Sequence, residues 1–586
     1  MNSMKNTFLY LFSLIAFLSV FSTSCKKSLE AEPLEQLSPD YVWDTQDSAG
    51  VNASRVLNDI YSEIPNGGNR VFSFTSTEPG SDFLDAATDD AVSSYPSATS
   101  VEQIATGTGI TPFRNLESST DIWAGSYRAI RKANIFMANI DKVPLAGTIS
   151  GNRPLRSAWK AEARFLRALF YFELVKRWGG VPIVGDEVRQ ITDDVLLPRN
   201  SFSDCVEYIV KECDAAKDSL RYDPIDNSNF GRVTRGTAMA LKARVLLYAA
   251  SQLYNGGNIG QNAEQRLVAG YESEQASRWK RAADAAADIV ALNVFNLQSD
   301  LVNTFIVANN NEVIFARNNG YSTAYETANG PIGFTGNATG NSRTSPTQEF
   351  VDCFTMKNGK PITDPTSGYN PNNPYVNRDP RLDSTILHEG SRWLSTTIET
   401  FEGGRNKPGG SKVQTKTSYY LRKFMGHFKN QTVYSAHPRN FVMFRLAEVY
   451  LNYAEAENEF SGPTPNVYNA LYAIRKRAGI SPGSGDYGIP AGLSKDAMRE
   501  IIRNERRVEL AFEEHRYWDI RRWKIAADLA KNPLHGLRIT RSEVVGSING
   551  TKVEVLKPFF ETKMYLYPIS QAERDKNKNL IQNPGW

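Results

Sequence analysis

The residues best suited to bind a ligand lie in two stretches that combine aromatic rings with acidic or amide side chains. The first stretch covers residues 82–95 and includes Asp89 and Asp90, and the second covers residues 321–334. Aromatic rings stack on the C–H faces of sugars, and carboxylates accept hydrogen bonds from hydroxyl groups. Long polar loops on a rigid scaffold commonly carry such sites. These two stretches therefore predict a sugar-binding surface.

Six side chains make up the specific hypothesis for this surface. Four aromatic residues would form a stacking platform and two carboxylates would accept hydroxyl hydrogen bonds: Tyr95, Tyr321, Tyr325 and Trp393, with Asp89 and Asp90. The alternative for each aromatic residue is a place in a local core beneath a long loop. Both roles stay open at this point, because a large ring can be buried in a core or partly exposed to a ligand.

Sequence motifs that would indicate an enzyme are either absent or in an unsuitable structural context. The chain contains no H-E-x-x-H, no G-x-x-x-x-G-K-[ST] and no C-x-x-C pattern. A G-x-S-x-G pattern around Ser481 and a G-x-G-x-x-G pattern over residues 483–488 share one glycine-rich stretch that follows a predicted helix. A nucleophile elbow and a dinucleotide site both require a preceding strand. We interpret this stretch as a connection between helices, and we predict no catalytic residue, no metal and no cofactor.

The stretch 498–514 predicts an unusually charged helix. Its arginines and glutamates form two stripes with four-residue spacing: Arg499, Arg503 and Arg507, and Glu505, Glu509 and Glu513. Basic and aromatic residues then alternate over 517–523, a pattern that could contact nucleic acid. The formal net charge of the chain is only +3. We therefore favour a buried charge network beneath a structural helix and predict no nucleic-acid partner.

Composition and periodicity predict a large, mostly helical protein. Of 586 residues, 41% are hydrophobic and 22% are charged, which excludes general disorder. Apolar residues recur at helical spacing over 123–254 and 441–531. Three predicted helices share an Ala-x3-(Phe or Leu)-x2-Ala pattern that begins at Ala161, Ala243 and Ala447, similar to the second helix of a tetratricopeptide repeat. Residues 296–440, rich in Gly, Asn, Ser, Thr and Pro, predict long loops with a few short strands.

Residues 1–24 predict an export signal. Their apolar run, residues 8–21, would span roughly 21 Å as a helix, which is too short for a bilayer core of about 30 Å. Small residues then precede Cys25, which resembles the box of bacterial lipoproteins, although Ser22 stands where a leucine is commonest. We expect cleavage before Cys25 and lipidation of its side chain. An ordinary secretory cleavage nearby is the alternative.

Several segments in combination resemble the SusD/RagB family. They are AEARFLRALFYFEL at 161–174, GGVP at 179–182, GRVT at 231–234, RLAEVYLNYAE at 445–455, NERRVELAFE at 504–513 and QNPGW at 582–586. The resemblance covers the whole chain after the signal, with the segments in the family's order. It implies a mostly α fold, in which a single SusD-like domain is built on a tetratricopeptide-like helical scaffold with long irregular loops and few short strands.

The resemblance also implies a function. A SusD-like protein would be lipid-anchored to the outer membrane of Bacteroidetes and would face the cell exterior. It would bind a glycan and deliver it to a SusC-like TonB-dependent transporter, without enzymatic activity. Lys26, Lys27 and Ser28 replace the acidic run often associated with surface export, so an anchor that faces the periplasm also stays open.

Two alternatives for function stay open. The resembling motifs belong to the scaffold and do not name the ligand, so a peptide, as in RagB-like uptake, is the main alternative to a glycan. A secreted glycosidase is the second alternative, for which Asp89 and Asp90 could supply the acid pair.

We expect three regions along the chain. Residues 1–24 would be the lipoprotein signal peptide. Residues 25–295 would be the SusD-like N-terminal portion, with helical repeats and the early binding loop. Residues 296–586 would be the C-terminal portion, with a loop-rich ligand face followed by helical repeats. The last two regions are expected to form one compact unit.

Overall fold

The computed structural model describes residues 42–64, 82–95, 98–117, 122–189, 193, 196–407, 415–542 and 547–586. Most of the regular structure in this part of the chain is helical, as predicted. The helices are α1 (Val51–Ser62), α2 (Ser100–Ala105), α3 (Ile122–Asn139), α4 (Leu155–Trp178), α5 (Phe202–Lys217), α6 (Arg235–Ala250), α7 (Ala263–Ala269), α8 (Ala276–Ala291), α9 (Asn303–Ile306), α10 (Ala324–Asn329), α11 (Gln348–Cys353), α12 (Arg381–Thr385), α13 (Leu446–Ser461), α14 (Pro465–Ala478), α15 (Lys495–Glu509), α16 (His515–Arg522), α17 (Ala526–Leu529) and α18 (Gln571–Lys576).

The strands are short and pair only in twos within the described residues. They are β1 (Ala91–Ser93), β2 (Ile110–Thr111), β3 (Arg114–Asn115), β4 (Thr148–Ile149), β5 (Arg153–Pro154), β6 (Val313–Ser322), β7 (Thr344–Pro346), β8 (Ile386–Leu387), β9 (Arg392–Trp393), β10 (Thr396–Thr397), β11 (Tyr420–Leu421), β12 (His437–Arg445), β13 (Leu534–Arg541) and β14 (Ile548–Leu556). The antiparallel pairs are β1–β7, β2–β3, β4–β5, β6–β12, β8–β11, β9–β10 and β13–β14. The prediction of few short strands is confirmed.

Helix α4 shows how the sequence builds the scaffold. Most of its residues from Ala158 onward are buried, so neighbouring elements surround it on every side. It ends at Gly179, whose φ is 77° and whose added Cβ would lie 2.1 Å from the carbonyl oxygen of Val268. A left-handed residue at a helix C-terminus favours glycine, and the close approach of Val268 excludes any side chain there.

The helices pack as a succession of neighbours. Helix α3 packs on α4, α4 on α5, α5 on α6, α6 on α8, α8 on α13, and α13 on both α14 and α15. The nine residues of the three alanine patterns, in α4, α6 and α13, are all buried. Alanines at these positions allow neighbouring helix backbones to approach closely. The predicted helical scaffold is therefore confirmed.

The apolar core has one large cluster and several smaller ones. The large cluster runs from Trp43 to Leu580 and includes helix residues from both halves of the chain. A second cluster, with Phe83, Phe424 and Phe512, lies under the loop-rich middle of the chain. A third is centred on Trp393. The long loops thus cover apolar clusters of their own, which hold them against the helical scaffold.

The charged helix predicted over 498–514 is α15, and it ends earlier than predicted. Phe512 and Glu514 adopt left-handed φ values of 61° and 65°, so the chain turns after Glu509 before α16 begins. The acidic stripe is buried against cations from other elements: Glu505 with Arg381 and Arg475, Glu509 with Arg381, Arg445 and Arg477, and Glu513 with Lys423 and Arg445. The predicted buried charge network is confirmed.

Candidate ligand-binding face

The first predicted stretch is positioned by strand pairing and by a buried ring. Strand β1 pairs with β7, so the backbone N–H of Ser94 donates to the carbonyl oxygen of Arg343 at 2.9 Å. Phe83 stacks on Phe424 with 5.5 Å between ring centroids and so fixes the start of the stretch. The early loop and the middle of the chain therefore contribute to the same surface.

Asp89 and Asp90 lie beneath this surface. Arg516 donates to both carboxylate oxygens of Asp89, at 2.9 and 2.8 Å, and Arg507 pairs with both aspartates. Burial acts to raise the pKa of Asp89, but Arg507 and Arg516 outweigh it and hold that pKa below its usual range. The structure corrects the prediction that these carboxylates bind sugar hydroxyls. They are committed to a desolvated network of arginines, which ties residues 89–90 to α15 and α16.

Tyr325 belongs to the aromatic cluster under the loops. Its ring centroid lies 5.6 Å from that of Phe424 and 6.1 Å from that of Phe83, and the guanidinium of Arg439 lies 5.2 Å from the ring. The cavity beside these rings holds only about 20 Å³, room for about one water molecule and too little for a sugar ring. Burial raises the pKa of Tyr325 to about 12. Tyr325 is half-buried and packs against the second cluster, which favours the alternative of a residue beneath a loop, and its stacking role stays a prediction.

Trp393 is a core residue. It is 0% exposed, and its ring packs edge-on against Phe428 with 5.5 Å between centroids. Its indole N–H donates to the hydroxyl oxygen of Tyr434 at 3.2 Å. With no ring face open to solvent, Trp393 does not stack on a ligand in this conformation. The predicted role is corrected: Trp393 organises the loops around β9 and β10 from within.

Tyr95 and Tyr321 are two predicted residues that lie outside the apolar clusters and reach the surface. Tyr321 is 72% exposed near the end of β6, three residues before the first residue of α10. The carbonyl oxygens at the end of α10 accept hydrogen bonds from residues 341–343, and the guanidinium of Arg343 lies 4.6 Å from the centre of the half-buried Tyr95 ring. These contacts join the two tyrosines through α10 and the segment 341–343.

The surface also includes three polar residues that the sequence analysis missed. Asn318 and Asn341 are exposed, and Asn341 donates to the carbonyl oxygen of Thr327 at 2.8 Å. Arg343 is half-buried, and its Nη1 has no hydrogen-bond partner among the residues that the structure describes. Single polar residues in an Asn- and Ser-rich stretch give no periodic signal. The β1–β7 pairing reveals the place of Asn341 and Arg343, and Asn318 lies on β6, three residues before Tyr321. We name Tyr95, Asn318, Tyr321, Asn341 and Arg343 the loop face.

The chemistry of the loop face suits a polyhydroxylated ligand. Tyr321 offers an exposed ring, the asparagines offer both donors and acceptors, and Arg343 offers donors only. Within the described ranges, no group of three or more His, Cys, Asp or Glu residues is placed to hold a metal ion. The glycine-rich stretch with Ser481 connects α14 to α15, as predicted, so no strand precedes that serine.

A separate crevice of about 420 Å³ lies away from these residues. Its walls come from α3, from the segment around Pro182 and Leu197, and from α18 and the residues that follow it. The hydroxyl of Tyr127 donates to the carbonyl oxygen of Pro182 at 2.8 Å and closes one side. None of the six predicted binding residues lines this crevice, so we assign it no part in the predicted surface.

The predicted signal peptide and Cys25 lie outside the residues that the structure describes. Across the described part of the chain, we find no helix with the length and apolarity needed to cross a membrane.

Comparisons with known proteins agree with the fold. A model described as SusD family matches residues 311–586, and a model described as "Starch-binding associating with outer membrane" matches residues 38–247. A SusD-like protein of Formosa agariphila is 26% identical over 484 residues, which cover 79% of this chain and 80% of that protein.

Solved structures give the same result. A SusD-like protein from Bacteroides fragilis superposes with a TM-score of 0.73 at 25% identity, over 94% of this chain and 100% of that chain. A laminarin-binding SusD-like protein superposes with a TM-score of 0.62 at 20% identity, over 91% of this chain and 99% of that chain. The resemblance found in the scaffold segments is confirmed, and the chain belongs to the SusD family of carbohydrate-binding proteins.

Proposed function

We propose that this protein binds a glycan at the loop face and delivers it to a SusC-like TonB-dependent transporter. A lipid on Cys25 would hold it on the outer membrane, facing the cell exterior. The observation that carries the binding proposal is the exposed ring of Tyr321, 72% exposed, on a surface that also presents asparagines and Arg343.

The buried residues of the first stretch support this role indirectly. Asp89 and Asp90 tie the early loop to α15 and α16 through Arg507 and Arg516. A ligand surface made of loops loses less entropy on binding when the loops are already held in place. The corrected residues thus act as supports for the loop face rather than as ligand contacts.

The proposals of a transporter partner and of a membrane location both rest on the family. One matching family model is described as associating with the outer membrane, and the transporter is implied by the family resemblance. A lid over a transporter mouth needs a large contact, well above roughly 1,600 Å² in total. Mild detergent extraction of the tagged full-length protein should therefore co-purify a TonB-dependent barrel. Recovery of the protein alone from membranes that contain the barrel would contradict the delivery role.

Binding is tested with a panel of polymers in native affinity gels: laminarin, amylopectin, xyloglucan and xylan. The wild-type protein should be retarded by at least one of them. Tyr321→Ala should weaken binding to that polymer by five- to thirty-fold, because loss of a stacked ring costs about 1–2 kcal/mol. Tyr222→Ala is the matched control, since Tyr222 is a 44% exposed tyrosine that packs on Arg153 away from the loop face.

The same samples separate the alternatives. Retention by no polymer, together with binding to a peptide library, would favour the peptide ligand. New reducing ends after incubation with a polymer would favour a glycosidase. Equal retention of wild type and Tyr321→Ala by a bound polymer would remove the loop face from the proposal while leaving glycan binding in place.

A further inference from the structure

Three tyrosines form a continuous row on a part of the surface that the loop face does not use. The ring centroids of Tyr468 and Tyr472 are 6.0 Å apart, and those of Tyr472 and Tyr487 are 5.5 Å apart. The rings are tilted by 50° and 42° relative to their neighbours, so the row curves. All three residues are half-buried, which leaves part of each ring in contact with solvent. We name these three residues the tyrosine row.

Two of the rings are aligned by helix periodicity. Tyr468 and Tyr472 are four residues apart on α14, so they lie on the same face of the helix. The adjacent face carries Val467, Leu471 and Ile474, which are buried in an apolar cluster with α13 and α15, and Tyr468 and Tyr472 pack against the edge of this cluster. The row therefore stands on a helix that is anchored by the neighbouring face.

The third ring is placed by an unfavourable backbone conformation. Tyr487 has a φ of 51°, in the left-handed region that aromatic residues rarely adopt. Such a residue persists only where its surroundings hold it, and these conformations are frequent at ligand-binding sites. The loop that carries it is the glycine-rich connection between α14 and α15, which contains the two weak motifs of the sequence.

The surroundings of Tyr487 explain how the conformation is held. The buried Arg475 donates to the carbonyl oxygen of Tyr487 at 2.9 Å and pairs with Glu505 at 2.7 Å. The N–H of Ser481 donates to the carbonyl oxygen of Lys357 at 2.8 Å. A Cβ at Gly359 would lie 2.1 Å from the carbonyl oxygen of Tyr487, so the two loops are in close contact. These contacts hold the backbone of Tyr487, and the ring of Tyr472 packs against the ring of Tyr487.

A carboxylate accompanies the row. Asp486 accepts hydrogen bonds from the hydroxyl of Ser484 at 2.6 Å and from the N–H of Gly488 at 2.9 Å, and both interactions lower its pKa. Asp486 directly precedes Tyr487 in the chain, and burial and the charge of Asp486 raise the pKa of Tyr472. An ionised acceptor beside a line of rings matches the two requirements of a sugar, hydroxyl acceptors and apolar stacking faces.

We propose that the tyrosine row, with Asp486, is a second glycan-contacting surface, which binds pyranose units of a polysaccharide whose chain also reaches the loop face. This inference rests on the proposed function and extends it, because the row is built on α14 and the α14–α15 loop, neither of which contributes to the loop face. The ring spacing is close to the length of one pyranose unit. Two weak surfaces on one protein would raise the retention of long chains through effective concentration.

The test compares variants in affinity gels that contain laminarin, amylopectin, xyloglucan or xylan. The double variant Tyr472→Ala/Tyr487→Ala should bind the retarding polymer about tenfold more weakly than wild type. The double variant Tyr472→Phe/Tyr487→Phe keeps both rings, so its affinity for the polymer should stay within about twofold of the wild-type affinity. Tyr450→Ala is the matched control, because Tyr450 is a half-buried tyrosine on α13 that packs against the same apolar cluster outside the row. Thermal melting of each variant verifies that it is folded.

Each outcome decides something different. Weaker binding by the Ala double variant alone supports the second surface. The second surface is overturned if Tyr450→Ala weakens binding equally, or if the Ala double variant is folded and is retained like the wild type. In either case, weaker binding by Tyr321→Ala in the same gels would still support the loop face. Absence of any retention of the wild-type protein would contradict the proposed function and this inference together.

Discussion

The buried ion pair of Glu455 gives the sharpest test of how the scaffold is held together. Glu455 closes the RLAEVYLNYAE segment on α13, where it is 4% exposed. Arg522 of α16 pairs with both of its carboxylate oxygens, and the indole N–H of Trp523 donates to one of them at 2.7 Å. Burial acts to raise the pKa of Glu455, but Arg522 and its neighbours outweigh it and lower that pKa to about 2.

This difference in pKa corresponds to a stability contribution that depends on pH. An ordinary pKa of 4.5 in the unfolded chain and about 2 in the folded protein correspond to about 3 kcal/mol at pH 7. As the pH falls below 4.5, the unfolded chain takes up the proton first, and the contribution is lost progressively toward pH 2. At pH 3.5 about 1 kcal/mol of it should be gone.

Glu455→Gln should therefore lower the free energy of unfolding by about 3 kcal/mol at pH 7, because it removes one of the two carboxylates that pair with the buried Arg522 and leaves it with Asp519. Urea denaturation at pH 7 and pH 3.5 measures the difference, which should be smaller at the lower pH. Glu457→Gln is the control on the same helix. Glu457 is half-buried and accepts a long 3.5 Å hydrogen bond from Thr464, so its loss should change stability by less than about 0.5 kcal/mol. A Glu455→Gln effect below about 1 kcal/mol at pH 7, or one unchanged by pH, would refute the reasoning.

Three further predictions concern the corrected and the untested residues. Trp393→Ala should cost about 3–5 kcal/mol in urea denaturation and leave the calorimetric affinity for a bound glycan unchanged, because the ring is buried. Asp89→Asn should destabilise the protein by about 3–5 kcal/mol by leaving Arg516 and Arg507 under-compensated. A strong loss of glycan affinity at wild-type stability would instead restore its predicted ligand role. Cys25→Ala should leave a soluble or uncleaved product, because anchoring needs acyl chains that contribute about 0.8 kcal/mol per buried methylene. Recovery of this variant in membranes after normal processing would contradict lipidation.

The helical scaffold was predictable because its signals are local. Apolar residues at helical spacing and a glycine after the last turn mark α4, and the structure places that helix at Leu155–Trp178. The alanine pattern at Ala243 likewise falls inside α6, at Arg235–Ala250. The end of α15 was not predictable in this way, because its charge stripes continue to Glu513 while the left-handed residues Phe512 and Glu514 turn the chain.

The candidate site was predictable only in part. Residue types located the right loops, and Tyr321 is exposed as expected. The same residue types placed Trp393 and Asp90 on the surface, although both are buried. An aromatic ring gains free energy from burial in a core or from contact with a ligand, and its own sequence neighbourhood does not distinguish the two.

What the sequence determined by itself is the family, the helical order and the regions where loops occur, because each of these depends on residues close together in the chain. What only the tertiary structure decided is which loop residues face solvent. Arg343 reaches Tyr95 through the β1–β7 pairing, across almost 250 residues of sequence. Asp89 meets Arg516 across an even longer separation, and this long-range pairing removes its carboxylate from the surface. Such contacts follow from the packing of distant elements, and no local pattern encodes them.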